Sequence, residues 1–154
     1  MKEAYLAAGS FWEAQLSLDG IPGVLMTKVG YMGGFVPFPS FAQVLSGKTG
    51  HAQTVQVIYD ENILSYEDIV NYFFEIHNPT TLNRQGPDCG TAFRSVLFYK
   101  TEDEKKTAEK LKMLYNILHH YKKTAVTQIC LADVFFEAEE IHQHFIEKHF
   151  NLWN

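Results

Sequence analysis

The sequence predicts one α/β (α+β) domain with a mixed sheet, spanning 1–154. Three observations predict it. Short apolar or alternating runs end at glycine and proline, helical periodicities are interspersed with them without strict alternation, and the linkers are too short for a domain boundary. Lys2–Ala8 is an apolar run that reads as a buried strand ending at Gly9. Ser10–Leu18 reads as a helix, with Ser10 near its N-cap and Glu13 three residues later, the capping-box pattern. Gly20-Ile21-Pro22-Gly23 is a turn, and Val24–Tyr31 a second strand. Gly33–Ser40 is punctuated by glycine and proline and is a loop, followed by a short helix from Ser40 to about Ser46. Gln53–Tyr59 alternates polar and apolar residues and predicts a half-buried strand. Ser65 opens a helix to about His77, with Ile69, Phe73 and Ile76 on one face. Asn78 to Ala92 has no period and three breakers, so it is a long loop of the kind that carries function. Phe93–Tyr99 is a strand. Glu102 to about Tyr121 is an amphipathic helix with Ala108, Leu111, Leu114, Tyr115 and Leu118 inward; Val126–Leu131 is the last strand and Ala138–His149 the last helix.

Composition narrows the function classes. The 46% apolar and 20% charged fractions suit a packed core and exclude a disordered chain. No apolar run approaches the ~20 residues that span a bilayer, so no membrane partner is expected. The opening Met1–Gly9 is too short and too acidic for a secretory signal, which predicts a cytoplasmic location. The net charge is −5 and no Lys/Arg stripe is present, which argues against nucleic acid. Two cysteines, Cys89 and Cys130, without a CxxC, exclude a disulfide scaffold and a zinc finger. No carboxylate/histidine set has ligand spacing, so no metal is expected. Phenylalanine outnumbers tyrosine, 12 to 8.

Three segments could carry chemistry. In Ala8-Gly9-Ser10-Phe11-Trp12 a strand ends, glycine permits a tight turn, and a nucleophile-type residue stands at a helix N-terminus, where free N–H groups and the helix dipole stabilise an anion. Gly47-Lys48-Thr49 lacks the first glycine of a phosphate loop, since position 42 is Ala, and that reading is rejected. In the loop His77–Thr91, Asp88 is a candidate anchoring carboxylate or a turn cap.

Together these segments resemble the methionine sulfoxide reductase A family. The resemblance is carried by Gly9-Ser10-Phe11-Trp12, Val29-Gly30-Tyr31-Met32-Gly33-Gly34, Ser46-Gly47-Lys48-Thr49-Gly50-His51-Ala52, the whole Asn83–Ser95 block and Ala138-Glu139-Glu140-Ile141-His142-Gln143. It runs in order through most of the chain. It implies a two-layer α/β sandwich and reduction of methionine-S-sulfoxide, in peptide or free form. In such enzymes a cysteine at the helix N-terminus attacks the sulfoxide sulfur and a glutamate gives a proton to the departing oxygen. Two tyrosine hydroxyls and an aspartate orient that oxygen, and Phe-Trp holds the methyl group. The cysteine sulfenic acid is then reset by a second cysteine or an external thiol such as thioredoxin, with no bound cofactor.

By that resemblance Phe11 and Trp12 form the methyl pocket and Asp88 is the anchoring aspartate. The remaining positions depart. The nucleophile position is Ser10, the acid position Gln53, and the two phenol positions are Phe41 and Phe93. Leu45 stands where many relatives carry a recycling cysteine. Serine cannot form an analogue of sulfenic acid, Gln53 can donate a hydrogen bond but not a proton, and the phenylalanines keep the ring without the donor. An oxyanion donor is commonly worth about 3–4 kcal/mol in a transition state, so the sequence as written predicts an inactive or altered site.

Two origins for Ser10 stand open, an encoded serine or one replacing a cysteine (or selenocysteine). Three functional readings follow. The first is a reductase that turns over when position 10 is cysteine. The second is a non-catalytic pocket that binds a thioether or another apolar group. The third is a repurposed hydrolase with Ser10, His51 and Asp88 as a triad. Cys89, beside Asp88, is a candidate secondary thiol, and Cys130 reads as inert core. Asn83 and Arg84 read as ties within the long loop. Glu139 and His142 read as capping and surface pairing at the start of the last helix.

Overall fold

The computed structural model describes residues 1–150. Its elements run β1 (Lys2–Ala8), α1 (Phe11–Asp19), β2 (Val24–Met32), α2 (Phe41–Leu45), β3 (Ala52–Tyr59), α3 (Tyr66–Ile76), β4 (Arg84–Gln85), β5 (Asp88–Cys89), β6 (Ser95–Tyr99), α4 (Glu102–Leu118), β7 (Gln128–Leu131), β8 (Phe136–Glu137) and α5 (Phe145–Phe150), with 3₁₀ turns at Thr91–Phe93 and Glu140–His142. No helix among the described residues is long and apolar enough to cross a membrane.

Six strands form a mixed sheet in the order β7-β6-β1-β3-β2-β8. Every pairing is antiparallel except β6 with β7. α1, α3 and α4 cover one face, where Phe11, Leu18, Ile69, Phe73, Ala108 and Leu111 meet Leu6, Val55 and Val57 of the sheet. Burying each such large side chain contributes roughly 1.5–3 kcal/mol. On the opposite face a smaller cluster of Ala7, Met32, Ala52, Val96 and Phe98 is covered by Tyr5 and Phe135. The helices therefore make one layer and the sheet the other.

β3 is not half-buried, as its alternation predicts. It lies between β1 and β2, its first half is buried on both faces with Gln53 and Thr54 beside the valines, and only Gln56 and Ile58 are half-buried. Two polar positions of its pattern, Gln53 and Thr54, therefore lie inside the protein. β6 starts at Ser95 rather than Phe93, because Thr91–Phe93 winds into a 3₁₀ turn. α4 ends at Leu118, and Leu114 and Leu118 are exposed rather than inward. Ala108 and Leu111 are buried in the core, and Tyr115 packs on it by stacking against Phe74 of α3.

The segment 138–149 is not one helix. The chain passes from β8 through the Glu140–His142 turn, adopts a positive φ of 52° at His144, and only then enters α5. Gln143 explains the break. Its Oε1 accepts the Val29 N–H at 2.9 Å, while its Nε2 donates to Val29 O at 2.9 Å and Ala138 O at 3.1 Å. The buried amide thus pairs with β2 as a strand residue would, beyond the end of β8. Replacing Gln143 by Ala leaves buried backbone groups unpaired, and orphaning such groups costs about 1–3 kcal/mol each. The expected loss is about 2–4 kcal/mol in urea unfolding, and a loss below about 0.5 kcal/mol would contradict this role.

Candidate active site

The site is built around the turn from β1 into α1. Gly9 has φ 89°, and a Cβ there would come within 2.4 Å of the Gln85 side chain in β4. Glycine is therefore needed both for the turn and for the close seat of the long loop. That seat folds part of Asn78–Ala92 into the β4–β5 hairpin, in which Gln85 pairs with Asp88. Asp88 is half-buried there, and the loop that carries it packs directly against Gly9, next to Ser10.

Ser10 is 9% exposed and caps α1 by position only. The capping box predicted with Glu13 does not form: the Ser10 side chain makes no cap hydrogen bond, and Glu13 is exposed. The first free N–H of the helix, on Phe11, is taken by Oε1 of Gln53 at 3.0 Å. Gln53 lies opposite Tyr31 in the β2–β3 register, on the face covered by α1. Its amide oxygen is thus committed to the backbone immediately after Ser10, and its amide nitrogen is the end with donors to offer. Capping boxes form where Ser40 pairs with Gln43 and where Ser65 pairs with Asp68.

Phe11 and Trp12 stand in a stack of rings. Phe41 lies 5.9 Å from Phe11 and 5.6 Å from Trp12, both stacked. His142 stacks on Phe41 at 4.1 Å, and Phe145 on Trp12 at 4.1 Å. The Trp12 indole N–H donates to His142 Nδ1 at 3.2 Å, which fixes that nitrogen as an acceptor and the imidazole as neutral. Burial lowers the His142 pKa, against the upward pull of the Glu139 carboxylate.

Glu139 ties the cage to β2. Tyr31 Oη donates to its Oε1 at 2.7 Å, and the Phe41 N–H donates to its Oε2 at 3.1 Å. Burial raises its pKa, but hydrogen bonds from its own backbone, Tyr31 and Phe41 outweigh this and hold the carboxyl below the ordinary range. Burial, with the bond to Glu139 and its charge, pushes the Tyr31 phenol far up. His142 is therefore buried rather than on the surface, and Glu139, although exposed, makes no cap hydrogen bond and pairs with Tyr31 and the Phe41 backbone; the two fix the position and environment of Phe41 and Trp12. Together with Tyr31 and Phe145 they are the members of the site that sequence reasoning missed. A signal is present, since Tyr31, Glu139 and His142 all lie in the quoted motifs, but a continuous helix over 138–149 would place the last two on a surface.

Phe93 sits in the 3₁₀ turn and packs against the main core. Arg94 beside it donates to Gly50 O at 2.9 Å and Thr91 O at 2.9 Å. His51 is buried, and both its nitrogens are engaged, Nδ1 by the Gly34 N–H at 3.0 Å and Nε2 by Val36 O at 2.7 Å. That occupancy removes it as the base of a Ser10–His51–Asp88 triad. Its work is structural: it closes the Gly33–Ser40 loop against the Thr49-Gly50-His51 turn, where a Cβ at Gly34 would meet Thr49 O at 2.3 Å. Asn83 and Arg84 tie the long loop as expected, through Asn83 O to Gly90 N at 2.8 Å and Arg84 Nε to Gly86 O at 2.8 Å. Cys89 is exposed and Cys130 half-buried, and both are free thiols. Sequence spacing shows no metal ligand set, yet the fold brings ligand atoms of Asp19, His144 and Glu147 to within 4.8 Å of one another.

The family model for peptide methionine sulfoxide reductase matches residues 2–153. This chain belongs to the peptide methionine sulfoxide reductase family. The enzyme of that name from Saccharolobus solfataricus is 43% identical over 149 residues, 97% of this chain and 83% of the relative. Mxr1 from Saccharomyces cerevisiae in reduced form superposes with a TM-score of 0.89 at 32% identity, over 99% of this chain and 87% of that one. Mxr1 in complex with Trx2 superposes at 0.67 with 26% identity, over 90% of this chain and 81% of that one. Members of the peptide methionine sulfoxide reductase family are oxidoreductases, and the two-layer fold implied by the motifs is theirs.

Proposed function

We propose that the site at the start of α1 takes the side chain of methionine-S-sulfoxide, in a peptide or free, and that with Ser10 in place it binds this group without completing its reduction. The observation that carries the reading is the convergence of three features on one helix terminus: the Gln53 amide on the Phe11 N–H, the Phe11–Phe41–Trp12 stack, and the Asp88 hairpin seated on Gly9. The rings offer an apolar wall for a methyl group, and the Gln53 Nε2 offers a donor for the sulfoxide oxygen.

Turnover needs a thiol at position 10. A cysteine sulfur takes the oxygen and becomes S–OH, oxidised by two electrons, as the sulfoxide is reduced to the thioether. Two equivalents of an external thiol, or one dithiol such as thioredoxin, then release water and return the cysteine, leaving a disulfide. The same step on Ser10 would require an O–O bond. Among solved relatives, the complex of Mxr1 with Trx2 supports a protein dithiol as reductant.

A second reading, a pocket for the thioether itself, is favoured by the bare rings of Phe41 and Phe93, which lack hydroxyls for the oxygen. Calorimetry separates the two. Peptides carrying methionine-S-sulfoxide, methionine-R-sulfoxide and methionine are titrated into the protein as it stands. The S-sulfoxide is expected to bind tightest, and Trp12→Ala to weaken it by about tenfold or more. A preference for methionine establishes the second reading instead.

A further inference from the structure

A polar cluster that the proposed reaction does not use joins the end of α1 to the start of α5. Asp19 is the last residue of α1, His144 directly precedes α5, and Glu147 lies within it. His144 Nδ1 is 3.1 Å from Asp19 Oδ2 and 3.7 Å from Glu147 Oε1. Asp19 stands at the negative end of the α1 dipole, where a cation is favoured and an anion is not. Glu147 is 5% exposed, yet among the described residues its Oε2 has no hydrogen-bond partner. A carboxylate oxygen buried in this way requires a proton or a positive charge.

The ligand atoms are also held from behind. Thr27 Oγ1 donates to Asp19 Oδ1 and accepts from Gln15 Nε2 at 3.2 Å, while Gln15 Oε1 accepts the His144 N–H at 2.7 Å. Gln15 and Thr27 are both buried, so the Asp19 carboxylate and the His144 backbone are positioned by one shared brace. Such outer contacts accompany metal ligands because they fix orientation before the ion arrives.

We propose that Asp19, His144 and Glu147 form a binding site for a divalent transition metal ion of the zinc type, with three protein ligands and a fourth position for water. Distance and donor chemistry both favour this ion. Ligands at about 2.0–2.1 Å in a tetrahedron lie about 3.3 Å apart, and the two spacings at His144 fall on either side of that. An imidazole with two carboxylates suits zinc, whereas calcium and magnesium take all-oxygen sets. Burial raises the Asp19 pKa, opposed by Thr27 and His144, and the Glu147 charge adds to the rise; a bound cation relieves that repulsion. The ion fastens α5 to α1 one residue before Phe145, the ring that stacks on Trp12. Its binding does not depend on any reaction at Ser10.

The test uses the full chain carrying Cys89→Ser and Cys130→Ser, so that no thiol competes, after dialysis against a chelator. Titration with zinc chloride should show one saturable equivalent and a rise in melting temperature, and cobalt should give the visible absorption of a four-coordinate ion. Asp19→Asn, Glu147→Gln and His144→Gln should each weaken zinc by about tenfold or more, with His149→Gln unchanged. Circular dichroism of each variant without metal establishes that it folds. Absence of saturable zinc binding and of the cobalt spectrum in the parent protein overturns the proposal, whatever the variants do. So does zinc affinity that survives all three substitutions, or magnesium binding as strong as zinc.

Discussion

Ser10→Cys with Gln53→Glu is expected to reduce methionine-S-sulfoxide in the presence of dithiothreitol about 100- to 10,000-fold faster than Ser10→Cys alone. That span is the usual contribution of a positioned general acid. The anchor is the Phe11 N–H, which Gln53 Oε1 accepts at 3.0 Å. A glutamate in the same rotamer keeps that bond with one oxygen and presents the other where the amide nitrogen now stands. Position 53 is 2% exposed, and burial raises a carboxyl pKa, so the acid carries its proton at neutral pH. The thiol introduced by Ser10→Cys, at the N-terminus of α1, has the free N–H groups and helix dipole that favour a thiolate. Ser10→Cys alone supplies nucleophile and cage without an acid, so its turnover should be slow but thiol-dependent. Equal rates for the single and double variants would show that the proton comes from elsewhere and that Gln53 is no deficit. Absence of thiol-dependent turnover in both would show that the bare rings of Phe41 and Phe93 are the disabling change.

The parts of this site legible in the sequence are those held by local chemistry. Gly9 marks a turn by its lack of a side chain, Phe11 and Trp12 follow it directly, and a strand entering a helix there is readable from period alone. The motif resemblance added Phe41, Gln53, Asp88 and Phe93 by position. What stayed illegible depends on contacts across the fold. The Phe11 N–H finds Gln53 because β3 lies beneath α1, and no local rule pairs residues 42 apart. Gln143 breaks the predicted last helix because its amide completes β2, far away in sequence. Once that helix is broken, His142 can reach Phe41 and Trp12, and Glu139 can bridge Tyr31 to the Phe41 backbone. The burial of β3 has the same origin: alternation identifies a strand, but whether its polar face meets water is decided by what packs on it.

Acidification should destabilise the protein by up to about 3 kcal/mol through His77 alone. Burial lowers its pKa from 6.5 to about 4, only partly offset by the hydrogen bond to Phe73 O. Its Nδ1 lies 2.6 Å from Phe73 O and its Nε2 2.8 Å from Ser95 Oγ, which in turn lies 2.8 Å from Thr127 Oγ1. The carbonyl can only accept, so Nδ1 carries the hydrogen and Nε2 accepts from Ser95. A proton on Nε2 would face that hydroxyl's hydrogen and force it to turn. Between pH 6.5 and about 4 the unfolded chain therefore binds a proton at His77 that the folded chain refuses. Stability from this group is fully present above 6.5, falls through that window, and is flat below it. Each tenfold difference in proton affinity is worth about 1.4 kcal/mol, which sets the total near ~3 kcal/mol. Urea unfolding of wild type and His77→Gln at about pH 7 and pH 4 isolates the effect, because the carboxylates common to both cancel. The stability difference between the two proteins should change by about 3 kcal/mol over that range, and parallel profiles or a His77 resonance titrating near its ordinary value would refute the assignment. The consequence reaches the site, because His77 stands at the head of the loop whose Gln85 seats on Gly9 and whose Asn78 N–H donates to Gln85 Oε1 at 3.0 Å. Protonating His77 loosens α3 from β6 where that loop begins, so binding at the α1 terminus should weaken with acid in the same window as stability, and His77→Gln should remove that part of the pH dependence.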